Sequence, residues 1–411
     1  MDPNEALSAK SHHHAVNLAI LTAAPPGVLK LLLEHEKVLL SEDQKNLAVE
    51  DATRSQQDYL EIMTNLTSSS IARHQFNFNY VGHRDLTILG EAIKRVQTSS
   101  VKLLLELDEV HVDCCGVGDF GPEHVNPFLL CLSLLTNTKE RQERNGELLR
   151  LLMNSKRLDV NAAPSAVGEA AIHRALLLES PFFLEILLTH ADLDVNLLCR
   201  REYAPLDLAV LLSPNYLVHA DLLLNDPRTI LNKNDTGDRL PMLASAVAFS
   251  TSDMVFQFIR AGADPNAVGY DQSTSKDLSN FHFNLLECRT ASSHDDLEER
   301  IKSAKLLMEA GCRPTLNAKK YDEILQDIGD LDISPSFKES TKKAILSIKE
   351  MASEIPSLSV LARSAIYGQM RVVQGQCSTL PLLEKFLATE VMPLPVKAFL
   401  SFQFVGKLFT A

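Results

Sequence analysis

Apolar residues in this chain gather into short, leucine-rich runs that recur at a nearly constant interval. Four of them are Leu148–Leu152, Leu184–Leu188, Asp221–Leu224 and Val255–Ile259. Each reads as a helix, and each is followed by a polar turn closing on asparagine: Arg157-Leu-Asp-Val-Asn161, Ala191-Asp-Leu-Asp-Val-Asn196, Thr229-Ile-Leu-Asn232 and Ala261-Gly-Ala-Asp-Pro-Asn266. The closing asparagines stand 35, 36 and 34 residues apart. A second apolar segment precedes each run, opening at Asn126-Pro-Phe-Leu-Leu-Cys131, Ala170-Ala-Ile-His-Arg-Ala175, Ala204-Pro-Leu-Asp-Leu-Ala209 and Leu240-Pro-Met-Leu-Ala-Ser245. Proline in a first helical turn gives up only an amide that had no helical partner. The pattern therefore predicts a series of helix pairs of common length.

These pairs resemble ankyrin repeats, whose period is ~33 residues and whose first helix opens Thr-Pro-Leu-His-x-Ala. The resemblance implies that the Leu position packs inward and that the small Ala position lets the second helix approach. Three weaker copies flank the four. His14–Ala19 leads into Leu29–Leu33, Leu86–Gly90 into Val101–Leu105, and Phe283–Cys288 into Ala304–Cys312. His14 and Leu86 are 72 residues apart, two periods, which leaves room for an eighth repeat around Asp58–Asn65. The threonine cap is replaced by Ala or Leu, and only His173 keeps the family histidine. Insertions fall at Gly116–His124, Thr136–Asn145 and Ser292–Glu299. The expected fold is all-α: an ankyrin-repeat solenoid over residues 1–318, in which each repeat is buried only by its neighbours.

The period ends after residue 318. Tyr321–Ile328 and Phe337–Ala352 read as linking and capping helices within 319–354, separated by Ser334-Pro335-Ser336. Beyond Pro356 lies a different pattern. Leu358, Leu361, Ala362 and Ile366 are spaced to share one face of a helix running to about Tyr367, Leu380–Leu387 reads as a second helix, and Pro393-Leu394-Pro395 precedes Lys397, Phe399 and Leu400. Residues 355–404 thus resemble a SOCS box, a small three-helix module. The family pattern is Leu-x-x-x-Cys-x-x-x-aliphatic; Leu358 and Ile366 match it, Arg363 matches the Arg common after the Cys, and Ala362 stands where Cys is usual.

The resemblance implies a substrate-recognition adaptor of a ubiquitin ligase. Leu358, Leu361, Ala362 and Ile366 would enter a groove on Elongin C, which carries Elongin B. Pro393, Leu394 and Pro395 would select a cullin of the cullin five class with its RING protein, and the array would hold an unidentified client protein. The alternatives are that 356–404 merely caps the array and that the chain is a scaffold without ligase recruitment. A cap would bury the Leu358/Ile366 face against the last repeat, whereas an adaptor leaves it open. Client contacts are expected at the hairpin tips, near Arg200, Arg201, Tyr203, Asp235 and Tyr270, because exposed charged and aromatic tips suit protein recognition.

Composition narrows the partners further. The 411 residues carry 40 basic and 53 acidic side chains, a net charge of −13, which argues against nucleic acid as the principal partner. The charge is uneven. From Pro356 onward, Arg363, Arg371, Lys385, Lys397 and Lys407 face only Glu384 and Glu390, so this segment is +3 and the rest −16. Trp is absent and aromatics are 6%, favouring helix over sheet. Seven scattered cysteines, Asp2 and Glu5 near the start, and no run of the ~18 apolar residues that a membrane span needs point to a cytosolic or nuclear protein with reduced thiols.

No catalytic chemistry is expected. There is no glycine-rich phosphate loop, Gly-x-Ser-x-Gly elbow or His-Glu-x-x-His. His12-His13-His14 is followed by no Cys or carboxylate at ligand spacing, so neither metal nor cofactor is expected. Cys114-Cys115 is adjacent rather than Cys-x-x-Cys and reads as part of a repeat hairpin.

Overall fold

The computed structural model describes residues 78–79, 81, 86–116, 126–134, 138–163, 168–178, 180–212, 217–231, 242–271, 276–314, 318–330, 334–353, 358–374, 377–388 and 400. Among these the chain is mostly helical, with one short β-hairpin. It divides into two compact units, Met1–Leu193 with Cys199–Arg201, and Asp194–Leu198 with Glu202–Ala411. The openings before residue 78, Asp58–Asn65 and His12–His14 lie outside the described residues.

In the first unit the helices come in pairs: α1 (Ile88–Lys94) with α2 (Thr98–Leu105), α3 (Pro127–Leu132) with α4 (Lys139–Met153), and α5 (Ala171–Leu176) with α6 (Phe182–Leu188). The first helices also pack in a row, α1 on α3 on α5, and the second helices form another, α2 on α4 on α6. Between the rows Ala92, Ile93, Leu104, Leu148, Leu152, Ala175, Leu184 and Leu187 are fully excluded from solvent. Small residues on the first helices, Ala92 and Ala175, are among them.

Each opening has its own solution for the orphan amides of a first turn. Thr87 accepts from the Gly90 amide through its hydroxyl, and Asn126 accepts from Phe128 and Leu129 with Pro127 behind it. Where the cap is Ala170, the reciprocal bond remains: the buried His173 ring accepts the Ala170 amide through Nδ1 at 3.2 Å. At Ala204 the Asp207 carboxylate does the same at 2.9 Å. Gly90 is required for another reason. A Cβ there would lie 2.1 Å from the Cys115 carbonyl oxygen, which itself accepts the Thr87 amide. Cys115 thus belongs to the turn that meets α1, with its thiol pushed up by burial.

The second unit continues in the same manner with α7 (Pro205–Leu211), α8 (Leu217–Asn225), α9 (Met242–Phe249), α10 (Ser252–Arg260), α11 (Asn280–Glu287) and α12 (His294–Glu309). Here α7, α9 and α11 form one row; α8, α10, α12 and then α14 (Pro335–Ser353) form the other. The linking helices are α13 (Ala318–Asp330), which packs on α14, and α14 itself. Both run a few residues past the bounds read from sequence.

Four departures from the sequence reading are structural. The segments Thr136–Asn145 and Ser292–Glu299, read as insertions, mostly lengthen second helices. Thr138 caps α4, and Ser293 with Asp296 forms a reciprocal capping box on α12, so the extra residues become added turns. The segment around Tyr270 and Asp271 is not a bare tip. It is strand β1 (Val268–Asp271), paired antiparallel with β2 (Lys276–Ser279), because the longer connection there satisfies its amides by self-pairing. The helix read as opening at Phe283 starts at Asn280, where Ser279 accepts from the His282 amide and its hydroxyl lies 2.9 Å from His282 Nδ1. The fourth, the length of the first helix after Pro356, is described below.

Three of the closing asparagines fasten one turn to the next, and Asn232 lies outside the described residues. Asn161 donates to the Asp192 carbonyl; Asn196 donates to Arg228 O and accepts from Ile230 N; Asn266 donates to Gly311 O and accepts from Arg313 N. Asn79, which the sequence pattern did not single out, does the same to Glu109 O and His111 N. Arg157 adds a cation to the series, donating to the carbonyls of Leu105, Leu107, Asp108 and Val110 at the C-terminal end of α2, where a helix favours positive charge. Asn196→Ala should lower unfolding free energy by ~1–2 kcal/mol in urea, because a partly buried Ile230 amide loses its acceptor. Asn266→Ala, whose bonds are exposed, should lose less; equal losses would mean that the asparagines act through turn geometry rather than through these bonds.

Candidate partner-binding face of the C-terminal helix

The first helix after Pro356 is α15 (Leu358–Gln374), about two turns longer than read from sequence. No proline interrupts it, and Gly368 is the one glycine within it. Two faces result. Val360, Arg363, Tyr367 and Met370 are buried, three or four residues apart. On the opposite side Leu361 is 50% exposed and Ile366 36% exposed, with Ala362 and Ala365 exposed between them. Leu358 opens the helix, three residues before Leu361.

The buried face is held by polar contacts to the helix ends of the same unit. The Arg363 guanidinium donates to the Glu309 carbonyl at 3.2 Å and lies 3.6 Å from its carboxylate. Burial pulls that guanidinium below its usual value, opposed by Glu309. Arg371 pairs with Asp264 at 3.7 Å. The Tyr367 hydroxyl, raised by burial, donates to the Leu400 carbonyl at 3.0 Å.

The second helix, α16, occupies Leu380–Leu387, the span read from sequence. What precedes it was not foreseen. Cys377, Ser378 and Thr379 run along the ends of α8 and α10. Cys377 bridges to Ile230; Ser378 donates its amide to Thr229 O and its hydroxyl to Leu224 O at 2.6 Å; Thr379 donates both amide and hydroxyl to Ala261 O. Ser378 and Thr379 are fully buried. In sequence, Ser-Thr before a leucine run signals only a helix cap; nothing local says that those hydroxyls reach carbonyls more than a hundred residues away. Arg260 and Glu384 pair at 2.9 Å beside this seam.

Two glycines make the close approach possible. Gly262 and Gly311 end α10 and α12 in the left-handed region, with φ of 92° and 89°. Each is followed by the amide-to-carbonyl bond that closes such an end, Ala263 to Phe258 and Cys312 to Leu307. A Cβ on Gly262 would sit 2.0 Å from Thr379 Oγ1, and one on Gly311 2.6 Å from Ser364 Oγ.

The remaining sequence-predicted residues are scattered. Arg200 and Arg201 are exposed in the first unit, and Tyr203 is exposed in the second. Glu202 takes a positive φ of 64°. Tyr270 lies in strand β1 rather than at a tip. Asp235 and the segment Pro393-Leu394-Pro395 lie outside the described residues. Among the described residues no cluster of three His, Cys, Asp or Glu side chains could hold a metal ion, and no helix is long and apolar enough to cross a membrane. All seven cysteines are free; burial pushes the Cys131, Cys288 and Cys312 thiols up to about 12.

No family model matches this chain, and no curated protein matches it.

Proposed function

We propose that this chain is the substrate-recognition adaptor of an Elongin B/C–cullin RING ubiquitin ligase, with an ankyrin array holding a client and residues 355–404 acting as a SOCS box. One observation carries the reading: the face bearing Leu361, Ala362 and Ile366 is turned to solvent while Val360, Arg363, Tyr367 and Met370 hold the helix to the body. A module whose only task was to cap the stack would turn its apolar residues inward, since exposed leucine and isoleucine on a docked helix add nothing to stability. The two rows of helices, the asparagine ties, and the openings at Thr87 and at Ser279-Asn-Phe-His282 support the ankyrin half, the last restoring both the hydroxyl cap and the histidine of that family's pattern.

The rival reading, a scaffold without ligase recruitment, draws on Ala362, which offers less contact than the usual Cys. Co-expression separates the two. The adaptor copurifies with Elongin B and Elongin C as a stoichiometric complex through gel filtration. A folded, soluble chain that elutes alone would leave the scaffold. In the complex, replacing Leu394 and Pro395 is expected to spare the Elongins and weaken recruitment of the cullin.

A further inference from the structure

We infer that the end of the second unit carrying Leu211, Val218 and Phe249 is a docking surface for a basic, amphipathic segment of another protein. The three side chains are 43%, 56% and 56% exposed, whereas their helix neighbours Leu206, Leu223 and Val247 are buried at 2% or less. Topology gathers them. Leu211 is the last residue of α7 and Phe249 the last of α9, two helices packed side by side, and Val218 is the second residue of α8, which follows α7. All three therefore lie at the end where the two helices of a pair meet, away from the asparagine-tied turns.

Isolated exposed apolar residues are ordinary on protein surfaces. What distinguishes these is the charge beside them. Glu299 accepts the Ser252 amide just past Phe249, and Arg300 donates to the carbonyls of Val247 and Ala248 just before it, so the start of α12 is fixed against this end of α9. That start carries Asp295, Asp296, Glu298 and Glu299, and α10 contributes Asp253. Against these five carboxylates stand two cations, Arg300, which donates to those carbonyls, and Lys302, which pairs with Glu299 at 2.9 Å with Glu298 and Asp253 also around it, so the balance of charge is negative. The edge that remains is apolar and negative.

Such an edge repels a nucleic acid, an anionic lipid surface or a second copy of itself, each of which would bring like charge to it. It complements a segment with apolar anchors on one side and lysine or arginine on the other, the carboxylates setting orientation and on-rate and the anchors supplying residence. This assignment rests on the reading of the helical stack as the partner-binding half, but not on ligase recruitment.

The test uses the full chain and three fluorescent helical peptides: one with a leucine stripe opposite lysines, one with the same stripe opposite glutamates, and one with the leucine/lysine composition scrambled so that no stripe forms. The striped lysine peptide should bind at least about tenfold more tightly than either control in anisotropy titrations. Phe249→Ser and Val218→Ser, at exposed positions, should each weaken it several-fold without moving the melting temperature or copurification with the Elongins. Equal binding of all three peptides, no measurable binding of the striped one, or variants that bind like wild type would overturn the assignment. Loss of Elongin copurification in wild type, with the peptide pattern intact, would overturn only the ligase reading.

Discussion

Leu361→Asp should abolish copurification with Elongin B and Elongin C while leaving the melting temperature of the isolated chain unchanged. The two halves of that expectation come from one fact, that Leu361 is half exposed on the free protein. In the free chain a carboxylate at this place stays in water. In a complex that buries the face it would enter an apolar groove unpaired, a penalty of several kcal/mol, or about a thousandfold in affinity at ~4 kcal/mol. Ala362→Cys should act in the opposite sense and tighten binding modestly, because it adds one buried atom where the pattern has sulfur. Arg363→Ala is the informative contrast. It removes a buried guanidinium from Glu309, so it should lower stability first and binding only as the helix loosens. A Leu361→Asp protein that still elutes with both Elongins would show that this face is not the contact.

The largest stability effect is expected at Gly262. Gly262→Ala places a methyl 2.0 Å from the Thr379 hydroxyl oxygen and 2.7 Å from its Cγ2, at a φ of 92° that L-residues rarely adopt. Thr379 cannot turn away, since it is fully buried and its hydroxyl and amide both bond Ala261 O. Strain and lost docking together should cost about 2–4 kcal/mol in urea unfolding. Thr379→Ala alone should cost about 1–2 kcal/mol for the lost bond. Combining them should relieve part of the steric clash, so the double variant should fall short of the sum. Simple additivity would mean that the glycine matters only for its backbone conformation and not for the approach of the C-terminal segment.

Much of the local architecture was legible in the sequence, because it is set by short-range rules. The span of α16 follows from the apolar run Leu380–Leu387 itself, and the closing asparagines announce themselves by recurrence. Ala170 and Ala204 looked like defective caps; His173 and Asp207 three residues on supply the reciprocal bond, a compensation visible only in coordinates. The segments at Thr136 and Ser292 read as insertions because they exceed the period; Thr138 and Ser293 are good caps and the residues after them good helix formers, so most of the excess becomes helix. The open face of α15 was posed by the Leu358, Leu361, Ala362 and Ile366 spacing. Which of the two faces turns outward is decided by Arg363, Tyr367 and Arg371 finding partners far along the chain. The seam at Ser378 and Thr379 had no signal at all, since its acceptors are bare backbone carbonyls.

That seam also bears on how the molecule is made. The carbonyl of Leu224 waits for a hydroxyl 154 residues downstream, and that of Ala261 for one 118 residues downstream. Helix pairs nearer the start can be completed by the next pair to leave the ribosome, a local and therefore rapid step. The ends of α8 and α10 have no such early partner for these bonds. They close only after Ser378 and Thr379 have been made, so a chain that stops anywhere before Ser378 would leave them open and would weaken helices whose own sequence is intact.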